Sequence, residues 1–235
     1  MTKKVTDLQA VKGVALQFLN LRPEPVNGIP FFVNHPFLES SMIPDSKNNI
    51  YSVFEHPEVM NEYRSKMKTL ILNGKLETIF CYMSKKYQLA FLKYAKPYMS
   101  KEDFDRYLAF VWISSENPNQ DATVKIRTLI SWFKQANKNY LMEKDELQYY
   151  NNLPAVVKVY RGIAVGRANQ KGLSWTCDVD KAIWFANRFN TKKQRGYLLE
   201  GNIHKEDIFA YFNGRQESEV LCNSSKIYNL NRINL

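Results

Sequence analysis

Cysteine and histidine are scarce in this chain, and long apolar runs are missing. Three cysteines, Cys81, Cys177 and Cys222, stand far apart in 235 residues. An odd, scattered set argues against a disulfide framework and fits a reducing compartment, so a cytoplasmic location is expected. His35, His56 and His204 have no ligand spacing, and neither CxxC nor HExxH occurs. No metal site is expected. The longest early apolar stretch, residues 14–21, is interrupted by Gln17 and Asn20 and lacks a small-residue cleavage site. Neither a signal peptide nor a membrane span is expected, and hence no membrane partner. With no Walker loop and no Rossmann glycine fingerprint, nucleotide hydrolysis and hydride transfer are not expected either.

What is present is an ordinary apolar content, 45%, enough to build a core. The net charge is +10. An excess of that size favours polyanionic partners through steering and phosphate neutralisation. It is unevenly spread. Residues 1–153 carry 20 Lys+Arg against 16 Asp+Glu, and residues 154–235 carry 13 against 7.

The hydrophobic period changes near Pro154. Before it, the pattern is helical. Pro57 suits a first turn, and Val59, Tyr63, Met67, Leu70 and Ile71 recur on one face up to Asn73-Gly74. A second helix is expected from Leu76 to Tyr94, stopped by Pro97. Ser100 with Asp103 caps a third, and a fourth runs through Val124, Leu129, Phe133, Ala136 and Tyr140. The proline-rich segment 22–44 reads as an extended arm or irregular loop. After Pro154, short β-rich runs are expected at 156–160, 172–176, 196–203, 208–211, 217–222 and 226–233. Asp178 caps one helix among them. The expected fold is α+β, divided into an N-terminal extension and helical region, 1–153, and a β-rich unit, 154–235.

Three pieces of that β-rich unit occur in a telling order. Tyr160-Arg161-Gly162 ends a strand. Ser174-Trp175-Thr176 is followed by Ala182 and Trp184-Phe185-Ala186. Glu217-Ser218-Glu219-Val220-Leu221 comes last. Together they resemble the Arg–Ser–Glu class of ADP-ribosyltransferases, which includes many bacterial toxins. The arrangement is also similar to phage and prophage proteins. The resemblance covers residues 154–235. It implies a mostly antiparallel core of two packed sheets, NAD as ADP-ribose donor, and a toxin-like or phage-encoded enzyme. Its implied partners are a macromolecular acceptor (DNA, RNA or protein) and an antitoxin or immunity protein.

The chemistry explains the residue types. Cleaving the nicotinamide–ribose bond builds positive charge on the ribose, as in glycoside hydrolysis, and a carboxylate nearby stabilises it. The resemblance gives Glu219 that role. On a strand, Glu217 would face the same side, about 6.5–7 Å away, and orient or deprotonate the acceptor. Arg161 offers a planar cation for phosphate or ribose oxygens. Gly162 lets a ligand approach the backbone. Ser174 can hold a carboxylate in place. Thr176 stands where the family more often has serine, and keeps the hydroxyl. Trp175 points away from Ser174 and suits packing. The loop 187–195, with Arg188, Phe189, Lys192, Lys193 and Arg195, is implied to cover phosphate and nicotinamide. The turn 209–216 is implied to face the acceptor, with Tyr211, Phe212 and Arg215 as contacts.

Each piece also has a plain reading: solvated glutamates on an edge strand, a surface arginine pair, a polar strand residue. The Glu-x-Glu pair resembles arginine-modifying enzymes, whereas the basic charge and the aromatics of the turn point toward nucleic acid. An NAD glycohydrolase and a non-catalytic binding module are further alternatives.

Overall fold

The computed structural model describes residues 4–115, 118–166, 172–191 and 194–235. The chain divides into two compact units, residues 1–124 and 125–235. The expected boundary at 153/154 marks a change of periodicity, whereas the compact boundary falls earlier. Three helices that read as part of the first region belong to the unit that holds the large sheet. Among the described residues, no helix is long and apolar enough to cross a membrane.

The first unit is mainly helical. Helix α1 (Leu8–Leu19) is capped by Asp7, whose side chain accepts from the Ala10 N–H. The sequence reading missed this helix, although Asp7 before apolar residues 8, 11, 15 and 19 is a capping signature. Strands β1 (Glu24–Val26), β2 (Ile29–His35) and β3 (Leu38–Ser40) form one small antiparallel sheet, and β4 (Met42–Pro44) and β5 (Ile50–Ser52) another. The expected irregular arm is therefore strand: the seven-residue β2 and four three-residue runs, too brief for alternation to register. Val33, Leu38 and Ile43 of these strands, and Val53 just after β5, bury against Val59 and Met60. These begin helix α2 (Pro57–Asn73), with proline in the first turn as expected.

The expected second helix is two, α3 (Leu76–Tyr82) and α4 (Lys85–Ala95). The buried Gln88 side chain donates to the carbonyls of Phe80 and Met83, satisfying acceptors that the break would otherwise orphan. Helix α5 (Lys101–Ser114) starts at Ser100, whose hydroxyl accepts from the Asp103 N–H. Phe80 stacks on Tyr107 at 4.3 Å and meets Phe91 edge-on at 5.2 Å, so the aromatic stripes are core.

The second unit opens with α6 (Ile126–Gln135), α7 (Lys138–Leu141) and α8 (Lys144–Asn152). Six antiparallel strands follow: β6 (Val156–Ile163), β7 (Ser174–Thr176), β8 (Tyr197–His204), β9 (Ile208–Phe212), β10 (Glu219–Cys222) and β11 (Tyr228–Asn234). Helix α9 (Val179–Asn187) lies between β7 and β8 in sequence. The fold is α+β, as expected.

The sheet order is β11-β8-β6-β7-β10-β9. The two expected sheets are one hydrogen-bonded sheet whose halves meet at a single registered pair, Tyr160 with Thr176. By contrast, β6 and β8 pair along their whole length. Past that one pair β6 and β7 part company, and Arg161 is the first residue beyond it. Edge strand β9 is covered by α6–α8: Phe133 stacks on Phe209, and Lys138 Nζ donates to the carbonyls of Ile208 and Phe209.

Candidate active site

The three motifs converge where the sheet halves join. In register, Thr176 stands opposite both Tyr160 of β6 and Glu219 of β10, and Ser174 stands opposite Leu221. Cross-strand partners share a face, as do positions i and i+2. Ser174, Thr176 and Glu219 therefore lie on one face of the β7–β10 pair. Glu219 is 5% exposed. A carboxylate so buried feels a low local dielectric, in which its charge acts more strongly than in water.

Arg161 reaches across the parting of β6 and β7. Its Nη1 donates to the Ser174 carbonyl, while its Nε is buried with no hydrogen-bond partner among the described residues. Burial pulls its pKa below the usual value, and the negative charge of nearby Glu219 opposes that shift. Room for the guanidinium comes from Gly172, where a Cβ would collide with both terminal nitrogens. Trp175, buried as expected, donates from Nε1 to the Gly172 carbonyl at 3.1 Å and fixes that bend. Gly172, expected only as the start of a strand, is thus part of the candidate site.

Gly162 does something other than expected. A Cβ there would collide with the Ala182 carbonyl oxygen, the Ala186 nitrogen and the Phe185 Cβ. On the side where a Cβ would stand, the close approach is made by helix α9, which packs on β6 at this point. Gly196 makes room for the same helix at the Ala186 carbonyl.

Glu217 is not on the strand. Strand β10 begins at Glu219, and both Gln216 and Ser218 take positive φ, 56° and 47°. The strand rule that put Glu217 and Glu219 on the same side does not apply across that turn. Glu217 instead pairs with Arg215, Nη2 to Oε2 3.1 Å, both side chains partly exposed. Bonds made by three side chains help hold the turn. The Thr176 hydroxyl donates to the Glu217 carbonyl at 3.0 Å, the Ser218 N–H to Asn213 Oδ1 at 3.1 Å, and the Asn213 N–H to Glu146 Oε1 at 2.7 Å. Glu146, buried on α8, also accepts from the Glu143 N–H as a helix cap. Its cap role is legible in sequence; its grip on residue 213, far along the chain, is not.

Tyr211 and Phe212 do not face an acceptor. Both are buried in β9, and Tyr211 stacks on Tyr149 of α8 at 4.0 Å. Arg215 alone of the three expected contacts is exposed. In the loop 187–195, Lys192 and Lys193 lie outside the described residues. Arg188 sits over the rings of Trp184 and Phe189, at 5.6 and 5.4 Å. Burial pushes the Cys177 thiol up to about 11 and the Cys222 thiol further. Neither is a thiolate nucleophile at neutral pH.

The arrangement can set a buried carboxylate beside a desolvated guanidinium at a point where the sheet opens. No family model, no curated protein and no solved structure matches the chain.

Proposed function

We propose that residues 125–235 form an NAD-dependent mono-ADP-ribosyltransferase. The observation that carries this reading is the convergence of Arg161, Ser174 and Glu219 on adjacent strands β6, β7 and β10, with Glu219 close enough to act on the guanidinium. The residues fit the donor. Arg161 keeps one buried N–H uncommitted, and a buried cationic donor calls for an acceptor such as a phosphate or ribose oxygen of a dinucleotide. Glu219 would stabilise positive charge developing on the ribose and hold a ribose hydroxyl. Glu217, in a pinned turn, would orient the acceptor or take its proton. NAD supplies the ADP-ribosyl group and the nicotinamide leaving group; no metal enters the scheme. A toxin-like or phage-encoded origin, cytoplasmic action and an antitoxin or immunity partner belong to the same proposal.

We take the acceptor to be nucleic acid, on the strength of the basic charge. One observation favours a second reading, an arginine side chain of a protein. The Arg215 guanidinium already rests on Glu217, where an acceptor guanidinium would bind.

The test of the main reading is labelled NAD with whole-cell extract, followed by separate protease and nuclease digestion. Label that survives protease and becomes small with nuclease supports a nucleic-acid acceptor. Label on one protein band that resists nuclease supports the second reading. Glu219→Gln keeps the shape and removes the charge, so both transfer and NAD hydrolysis should fall on the order of 100-fold or more in a folded protein. Unchanged nicotinamide release would remove the proposal.

A further inference from the structure

The aromatics expected to meet an acceptor, Tyr211 and Phe212, are core. Trp184 and Phe189, also in the second unit, are not. Trp184 is 56% exposed and Phe189 49%, whereas Trp112, Trp132 and Trp175 are 6% exposed or less. Helix α9 explains the contrast. It buries Ala182 and Ala186 against the sheet, and with 3.6 residues per turn position 184 points outward. Trp184 has no core to enter. It meets the ring of Phe185 edge-on at 4.9 Å, and the Arg188 guanidinium lies over Trp184 and over Phe189. The result is a surface cluster of two large rings around one cation.

The chemistry of such a cluster is specific. Flat rings and a guanidinium plane accept unpaired bases by stacking, and the cation serves the adjoining phosphate. Charge agrees. The second unit carries 18 Lys+Arg against 10 Asp+Glu, while the first carries 15 against 13, so most of the net charge belongs to the unit with the rings. A duplex keeps its bases stacked inside and offers the rings nothing. RNA, with its loops and single strands, presents unpaired bases routinely.

We propose that Trp184, Arg188 and Phe189 dock an unpaired stretch of RNA on the outer side of α9. If the transfer reading holds, this names its acceptor class, and the docking itself is measurable without catalysis.

The experiment uses the full chain and a fluorescein-labelled oligo(U) of about 20 nucleotides, with oligo(dT) and a duplex RNA as comparators. Anisotropy gives affinity, and tryptophan emission gives location, because Trp184 is the one exposed tryptophan. Expected are salt-sensitive binding of oligo(U), weak binding of the duplex, and quenching that disappears in Trp184→Leu. Trp184→Leu and Phe189→Leu should each weaken binding about tenfold. The proposal is overturned if oligo(U) does not bind at low salt, if the double variant binds as tightly as the parent, or if the duplex binds as well without quenching. Tighter binding of oligo(dT) overturns the assignment to RNA. Nicotinamide release from NAD, measured in parallel on the parent protein, separates the two readings. NAD cleavage without oligonucleotide binding sinks the docking surface alone, and binding without cleavage sinks the transferase alone.

Discussion

Each unit holds an arginine whose Nε is buried without a hydrogen-bond partner among the described residues: Arg64 in the first and Arg161 in the second. An unsatisfied buried donor costs about 1–3 kcal/mol. By itself the orphan does not mark a site, because Arg64 has one too. The settings differ. Arg64 is half-buried on α2, and its Nη2 ties the Leu21 carbonyl at 2.9 Å, which pins the chain after α1. Arg161 stands where two strands part, in a space that Gly172 leaves for it, within reach of a buried carboxylate. The first arginine fastens a fold. The second is a cation that feels the charge of a buried anion.

The glycines repeat the contrast and give the largest expected effect. Gly162 has helix α9 against its α-carbon, whereas a Cβ on Gly13 in α1 would meet nothing within 4 Å. Gly162→Val should push α9 off β6 and destabilise the second unit by about 3 kcal/mol, as overpacking does. A urea midpoint that stays put would show that the helix is not seated there. Next in size is Glu217→Gln. Transfer should fall about tenfold further than NAD hydrolysis, since water needs less orientation than a bulky acceptor. Equal losses would move Glu217 from the acceptor to NAD cleavage.

A smaller effect sharpens the scaffold side of the comparison. His35 is buried; Nε2–H donates to the Leu19 carbonyl and Nδ1 accepts from the Phe37 N–H. Burial lowers its pKa below the usual 6.5, helped by Arg64 and opposed by the Leu19 and Leu21 carbonyls. The unfolded chain therefore takes the proton first. The stabilisation is full above about pH 6.5 and drains as pH falls toward the lower folded value, by at most about 1.4 kcal/mol per pH unit. Urea midpoints at pH 7 and pH 5 should differ more for the parent than for His35→Gln; equal differences would refute the linkage. The smallest change is Gly13→Ala. It adds a methyl to open space in a helix interior and should stabilise the first unit by about 0.5–1 kcal/mol. A loss of stability would mean that α1 needs that glycine for packing.

Much of the local structure was legible, because it depends on neighbours in sequence. Pro57 starts a helix where proline loses nothing, Ser100 and Asp178 cap helices through N–H groups two or three residues on, and Asn73-Gly74 ends one. The break at Met83 was not legible, since the carbonyls it frees are satisfied by Gln88 only once the chain has turned. Nor were the strands between residues 24 and 52, four of which are three-residue runs that give periodicity too little to work on.

The candidate site divides the same way. The sequence by itself determined the α+β class, the order of the three motifs, and the residue types that meet where β6, β7 and β10 join. Tertiary structure alone decided what each does there. Gly162 looked open to a ligand until α9 filled the space, and Tyr211 and Phe212 looked available until α6–α8 covered β9. Glu217 looked like a strand residue until two positive φ angles lifted it off the strand. The physical reason is common to all. Motif and period report what a residue can offer, but burial, register and close approach are set by elements distant in sequence, and those decide which atoms remain for a partner.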